Sequence, residues 1–442
     1  MKLSSLLGHA KELLQLIHDS GKPADGLIDS FFRSHKYLGS HDRRFIAETV
    51  YGTLRHLRRC DTVLRRVMSN RSHSVPPGDG YLLLIATYFL VVENTTRVTG
   101  ADLLPQMKSS RLKDELDDVL QDIVSGEGGA DNDPVERIGV RYSFPNWIVE
   151  RLLREYGEGE TEKLCASLNT QAPLTLRVNT LKTTLEECQQ ALRAEGVETN
   201  RTRRSPVGLE VPKRINIFRL RTFQQGMFEV QDEGSQIVSM LVDPKPTAKL
   251  LDACAGAGGK TLHFAALMAN RGEIVAADVS SYRIDQLRKR TRRAGVSNVR
   301  ARAIKDLSDL EDRYRSYFDV VFVDAPCTGL GTIRRNPGLK WTVTEESARE
   351  LSVKQQGILE ASAPLVKPGG VLAYTTCTLL REENEEVVDA FLRKHAEFTL
   401  VDPGFRELQP QLHREESVRY VKLFPHREGT DGFFCALLHK ST

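Results

Sequence analysis

The chain has 442 residues, 40% hydrophobic and 27% charged, which suits a globular protein of two or three domains. No apolar run approaches the roughly 20 residues that span a bilayer. Met1 to Ser20 lacks the apolar core and cleavage site of a secretory signal, and seven cysteines without C-x-x-C pairs argue against a disulfide framework or a zinc site. A soluble protein in a reducing cytoplasm is expected, with no membrane partner, no metal and a monomer as the default. The net charge of +3 is small but unevenly spread: Arg33 to Arg71 holds ten Lys/Arg against three acids, and Arg283 to Lys305 nine against one. Such stretches suit a phosphate backbone as well as a solvated helix face.

The first 125 residues lack a run of strands, whereas Leu6, Leu13, Leu14, Leu16 and Ile17, then Phe45, Ile46, Val50 and Leu54, recur at helical intervals and predict an all-helical domain, 1–125. The polar, Gly-rich stretch from Ser125 to Pro134 reads as a linker, placed at 126–140. Beyond it, Trp147 to Asn169 predicts a helix, Leu174 to Val178 a strand and Thr184 to Glu195 another helix, making a small α/β unit, 141–227. From Phe228 short apolar strands alternate with helices: Lys249–Asp252, Glu273–Asp278, Asp319–Asp324 and Gly370–Tyr374. That alternation predicts a doubly wound, mostly parallel α/β sheet over 228–442, with ligands beyond the carboxyl ends of its strands.

Four strand ends carry suggestive residues. Asp252-Ala253-Cys254-Ala255-Gly256-Ala257-Gly258-Gly259-Lys260-Thr261 is a Gly-rich turn into a helix, where glycines admit a ligand to the backbone and the helix start offers free N–H groups. It is not a phosphate P-loop, because the position five before Gly259 is Cys254, so a nucleotide-like ligand without a triphosphate is expected. Asp278 ends the next strand, where an acid accepts from ribose hydroxyls or caps a helix. Asp324-Ala325-Pro326-Cys327 and Thr376-Cys377-Thr378 each set a thiol just past a strand. A single cysteine beside a strand is ordinarily a small buried hydrophobe, but two thiols and an acid on one rim suit a specific problem. Cytosine C5 is a poor nucleophile until a thiolate adds to C6; the resulting enamine attacks an electrophilic methyl, and loss of the C5 proton and the thiol restores the ring. A free thiol of pKa ~8.5 needs positive potential to ionise, and Lys340, Arg334 and Arg335 in the loop after Cys327 are candidates for supplying it, or for touching RNA phosphates.

These motifs resemble the Sun/Fmu group of RNA cytosine-C5 methyltransferases across nearly the whole chain. The most specific are Asp324 to Cys327, continuing through Gly329, Ile333 to Pro337 and Lys340-Trp341, and Thr376 to Thr378 followed by Glu382, Glu383 and Asn384. The resemblance implies a Rossmann-like S-adenosylmethionine-dependent methyltransferase domain preceded by an all-α NusB-like domain and a small RNA-binding subdomain. It implies Cys377 as nucleophile, Cys327 as the thiol assisting release and Asp324 beside the base. It further implies a cofactor pocket lined by Cys254, Ala255, Gly256, Ala257, Gly258, Gly259, Lys260, Asp278, Arg283, Asp306 and Asp324. Asp42 to Phe45 with Val50 to Arg55 resembles the NusB-like part, which favours small-subunit ribosomal RNA over transfer RNA as substrate. Two departures stand out: Gly256-Ala257 replaces the usual Ala-Pro, and Arg290 stands where Asn is usual. A dinucleotide-dependent oxidoreductase is the rival from another class, but it leaves both thiol loops without a task; a non-catalytic RNA-binding assembly factor would not need Asp324, Cys327 and Cys377.

Overall fold

Leu6, Leu13, Leu14 and Ile17 lie on one buried face of the helix Leu3–Ser20, while Leu16 on the other face is 42% exposed. In this computed structural model, which describes residues 1–69, 71, 75–126, 132–213, 215–402 and 420–442, that helix opens an all-helical unit of Met1–Thr170 with Ile333–Thr344. Helices Ser40–Arg55, Leu57–Ser69, Pro77–Thr87 and Leu116–Ser125 close on the first one around Leu7, Leu13, Ile46, Val50, Leu82, Leu83 and Ile123.

The stretch 126–140 is not linker throughout. Pro134–Tyr142 is a helix capped by Asp133, whose side chain accepts from Val135 N, and it packs on Asn146–Leu168, which also belongs to this unit and kinks at Gly157. Residues 127–131 lie outside the described residues.

The segment Ile333–Thr344 departs most from its sequence neighbours. The ammonium of Lys340 is fully buried in the helical unit, donating to the carbonyls of Arg55 (3.0 Å) and Ser143 (3.0 Å), more distantly to Tyr142 (3.3 Å), and to Asn169 Oδ1 (2.6 Å), over the Phe144 ring. Trp341 Nε1 donates to the Leu54 carbonyl, and the Arg334 carbonyl accepts from Arg55. Lys340 therefore serves this packing, and the expectation that it supplies positive potential to an attacking thiol is corrected.

The second unit, Gln171–Thr332 with Glu345–Thr442, contains two sheets among its described residues. Strands β1 (Leu174–Val178), β2 (Asn200–Arg201), β3 (Gly208–Val211) and β4 (Phe228–Val230) form an antiparallel sheet in the order β2-β3-β1-β4, with helix Leu185–Ala194 closed by a Thr184/Glu187 capping box. The sequence-based boundary before Phe228 thus falls at the start of β4, the edge strand of the small sheet. The larger sheet holds β5 (Lys249–Asp252), β6 (Glu273–Asp278), β7 (Val299–Ala303), β8 (Phe318–Asp324), β9 (Val366–Thr376), β10 (Phe398–Val401), β11 (Val421–Leu423) and β12 (Phe433–Lys440). Its order is β10-β12-β9-β8-β5-β6-β7, with β11 beside β12. Strands β5 to β9 are parallel; β12 runs antiparallel between β9 and β10. Val275, Val321, Val323, Leu372 and Tyr374 are wholly buried, as strands covered on both faces require.

Candidate functional site

The strand order reverses at β5, which pairs with β6 on one side and β8 on the other, and this is where a doubly wound sheet opens a crevice. The Gly-rich turn crosses it. Gly256 N–H donates to Asp278 Oδ2 (2.8 Å), while Asp278 Oδ1 accepts from Ser280 N–H (2.8 Å), so this acid holds the turn and steadies Ser280, the residue that caps the next helix. Gly258 has φ 87°, and a Cβ there would meet Leu287 at 2.7 Å, so only glycine fits. Asp252 is fully buried; its Oδ2 accepts from Thr261 (2.6 Å), its Oδ1 has no hydrogen-bond partner, and burial pushes its carboxyl up to about 7.

The turn is also gripped from the small sheet. Arg177 of β1, buried, donates to the Gly259 carbonyl (2.7 Å) and to Gln231 (2.5 Å), and burial lowers its pKa to about 9. Arg290 donates to the Ala257 carbonyl (2.9 Å) and to Glu229 Oε2 of β4 (2.9 Å). Between these groups is a cavity of about 330 Å³. Of the expected residues, Cys254, Ala255, Gly256, Ala257, Gly259, Lys260, Arg283 and Asp324 line it; Gly258 shapes the turn and Asp278 holds it from behind. Asp306 is exposed and not brought to the cavity, its carboxylate accepting from the N–H and hydroxyl of Ser308.

At the ends of β8 and β9 the two thiols meet, Cys327 Sγ lying 3.4 Å from Cys377 Sγ. Lys260 Nζ donates to Asp324 Oδ2 (2.6 Å); burial would lower its pKa, but Asp324, Cys377 and Asp252 together raise it, so the ammonium stays charged and within electrostatic reach of Cys377. The Cys327 thiol is pushed well up by its hydrogen bond to Cys377 and by burial, which holds it protonated. Cys254 is pushed up by burial and by Asp252, the pattern of an inert thiol.

Comparisons with known proteins agree with this layout. Residues 10–99 match the NusB family, 144–218 the ferredoxin-like domain of RsmF/B-like methyltransferases, and 239–439 the 16S rRNA methyltransferase RsmB/F. The chain is 31% identical to the probable ribosomal RNA small subunit methyltransferase B of Bacillus subtilis over 100% of both chains. With the protein of the same description from Synechocystis sp. it shares 32% identity over 97% of this chain and 98% of that one. The chain belongs to the RsmB/F family of 16S rRNA methyltransferases. The crystal structure of PH0851 is also similar, with a TM-score of 0.81 and 29% identity over 100% of this chain and 99% of that one.

As an RsmB/F-family protein the chain is an S-adenosylmethionine-dependent methyltransferase with an RNA substrate. The cavity fits that cofactor, which carries an ammonium and a sulfonium: Asp252 offers an unpaired buried oxygen, while Lys260 and Arg290 are already matched by Asp324 and Glu229. A pyrophosphate would meet those acids instead. Sequence reasoning did not single out Asp252, Arg177 or Glu229 for the site, and it took Lys260 for cofactor only. Asp252 stood at the head of the quoted turn and was open to discovery there; the partners of the two arginines lie 82 and 61 residues away and leave no local spacing.

Proposed function

We propose that this enzyme methylates C5 of a cytosine in small-subunit ribosomal RNA through a bond from Cys377 to C6, acting in the cytoplasm as a monomer. The observation that carries the reading is the 3.4 Å approach of two thiols at the ends of β8 and β9, the same strand ends from which Asp324, paired with Lys260, lines the cavity. The cofactor supplies a methyl carbon made electrophilic by its sulfonium. Lys260 provides the positive potential that a Cys377 thiolate needs, the role first sought in Lys340. As Cys377 adds to C6, its thiol proton passes by way of the Asp324 carboxylate to N3, relieving charge that would otherwise accumulate on the ring. C5 then takes the methyl, whose bonding electrons stay on the cofactor sulfur, and passes its own proton to the Asp324 carboxylate, which releases it to water; the Cys377–C6 bond breaks with both electrons returning to the Cys377 sulfur, which takes back the proton from N3. Cys327, held as a thiol, donates its hydrogen bond to that departing sulfur.

Two substitutions test this. Cys377→Ala is expected to abolish methyl transfer and all covalent RNA adduct; Cys327→Ala is expected to leave attack intact and accumulate an adduct visible with labelled RNA on a denaturing gel. An adduct in Cys377→Ala but not in Cys327→Ala would reverse the two roles, and full turnover by Cys377→Ala would overturn the covalent mechanism.

A further inference from the structure

Behind the thiols lies a carboxylate that the chemistry above does not use. Glu383, in the turn Arg381–Glu383 that follows the Cys377 loop, is wholly buried. Its Oε2 accepts from Thr328 N–H (2.9 Å) and Gln355 Nε2 (2.9 Å), and its Oε1 from the Thr328 hydroxyl (2.5 Å). Thr328 follows Cys327 in the chain and Thr378 follows Cys377; their hydroxyls lie 2.7 Å apart. Because the single Thr328 hydroxyl hydrogen points to the carboxylate, Thr378 is the donor of that pair, and a chain of hydrogen bonds runs from one cysteine loop through the other into the anion. Gln355 Nε2 also donates to the Pro326 carbonyl (2.9 Å), fixing Cys327 from the other side. Asn384 holds the Cys377 loop in turn, accepting from Thr376 (2.5 Å) and donating to the Thr378 carbonyl (3.3 Å).

A buried carboxylate is a poor stabiliser, since an apolar filling of the same volume commonly does as well. What the network supplies is placement. We propose that Glu383 is a positioning residue that sets the separation of Cys327 and Cys377 by binding Thr328 directly and Thr378 through the Thr328 hydroxyl. Its consequence for turnover rests on the two-thiol mechanism above, but the placement itself does not. Glu383→Gln puts an N–H₂ against donors that need an acceptor, and Thr378→Val removes only the hydroxyl that joins the loops, whereas Thr378→Ser keeps it.

The test reads thiol proximity without RNA. The full-length protein is treated with diamide, which takes up two electrons and two protons as the thiols join, and the Cys327–Cys377 disulfide is mapped by mass spectrometry over time. Wild type and Thr378→Ser are expected to cross-link at the same rate, and Thr378→Val and Glu383→Gln at least about tenfold more slowly, since displacement by 1 Å is enough to cost as much as 10²-fold. S-adenosylmethionine binding should be unchanged in Thr378→Val, which separates lost alignment from lost folding. Cross-linking of Thr378→Val at the wild-type rate would overturn the proposal, as would Thr378→Ser failing as badly as Thr378→Val. With RNA present, Thr378→Val should accumulate the adduct expected of Cys327→Ala. If neither variant forms an adduct while the cross-linking pattern holds, the covalent mechanism fails and the positioning role stands.

Discussion

Burial acts on Asp252 and Cys327 in the same direction, keeping a proton on a group that would shed it more readily in water. For Asp252 this links stability to pH. Its folded value of about 7 lies above the unfolded ~3.9, so its contribution to stability is full below the unfolded value and is lost as pH rises through the folded one. Asp252→Asn keeps an acceptor for Thr261 and has no proton to lose. Between pH 5 and pH 8 it is therefore expected to gain on wild type by about 1 kcal/mol or more in urea unfolding; parallel pH curves for the two proteins would show that Asp252 is not the buried acid described. Chemistry of this kind was legible in the sequence where a residue sits within a few positions of a strand end, as Asp324, Cys327 and Cys377 do; Asp252, at the end of β5, carried the same signal and was passed over. It was illegible for Lys340, whose closeness to Cys327 along the chain said nothing of the carbonyls of Arg55 and Ser143 that surround its ammonium.

At the scale of elements, the buried parallel strands announced themselves as apolar runs, and β5, β6, β8 and β9 lie where those runs fall. Strand β7 escaped because Val299–Ala303 carries two arginines on a partly exposed edge and reads as more of the basic helix before it. Strand β12 escaped because an antiparallel insertion breaks the strand-helix alternation that marked the rest. The small sheet's last strand, β4, carries Glu229, which with Arg290 ties helix Ser281–Ala294 to the cofactor turn. Both departures from the family pattern thus meet in one place: the turn lacks a proline at Ala257, and Arg290 binds the Ala257 carbonyl. Removing that charged donor should loosen the turn. Arg290→Gln is expected to weaken S-adenosylmethionine binding by about tenfold in calorimetry, the effect of one charge-assisted hydrogen bond. Unchanged affinity would show that the turn holds its shape without Arg290.

Over the whole molecule, the helical unit, the small sheet and the large sheet answer to three expected parts, and the family relation covers them all. The division of the chain was less legible. Composition marks a polar stretch as linker, but helix Asn146–Leu168 joins the unit before it and Ile333–Thr344 joins that unit from far along the chain. Neither choice depends on local sequence; both depend on which surface the segment buries. Methylation at one atom of one base is read by incubating the enzyme and labelled S-adenosylmethionine with RNA from cells that lack this protein, then identifying and mapping the labelled nucleotide. 5-Methylcytosine at one small-subunit ribosomal RNA position, and no label with Cys377→Ala, is the expected result; label on any other atom, or only on transfer RNA, would overturn the proposed function.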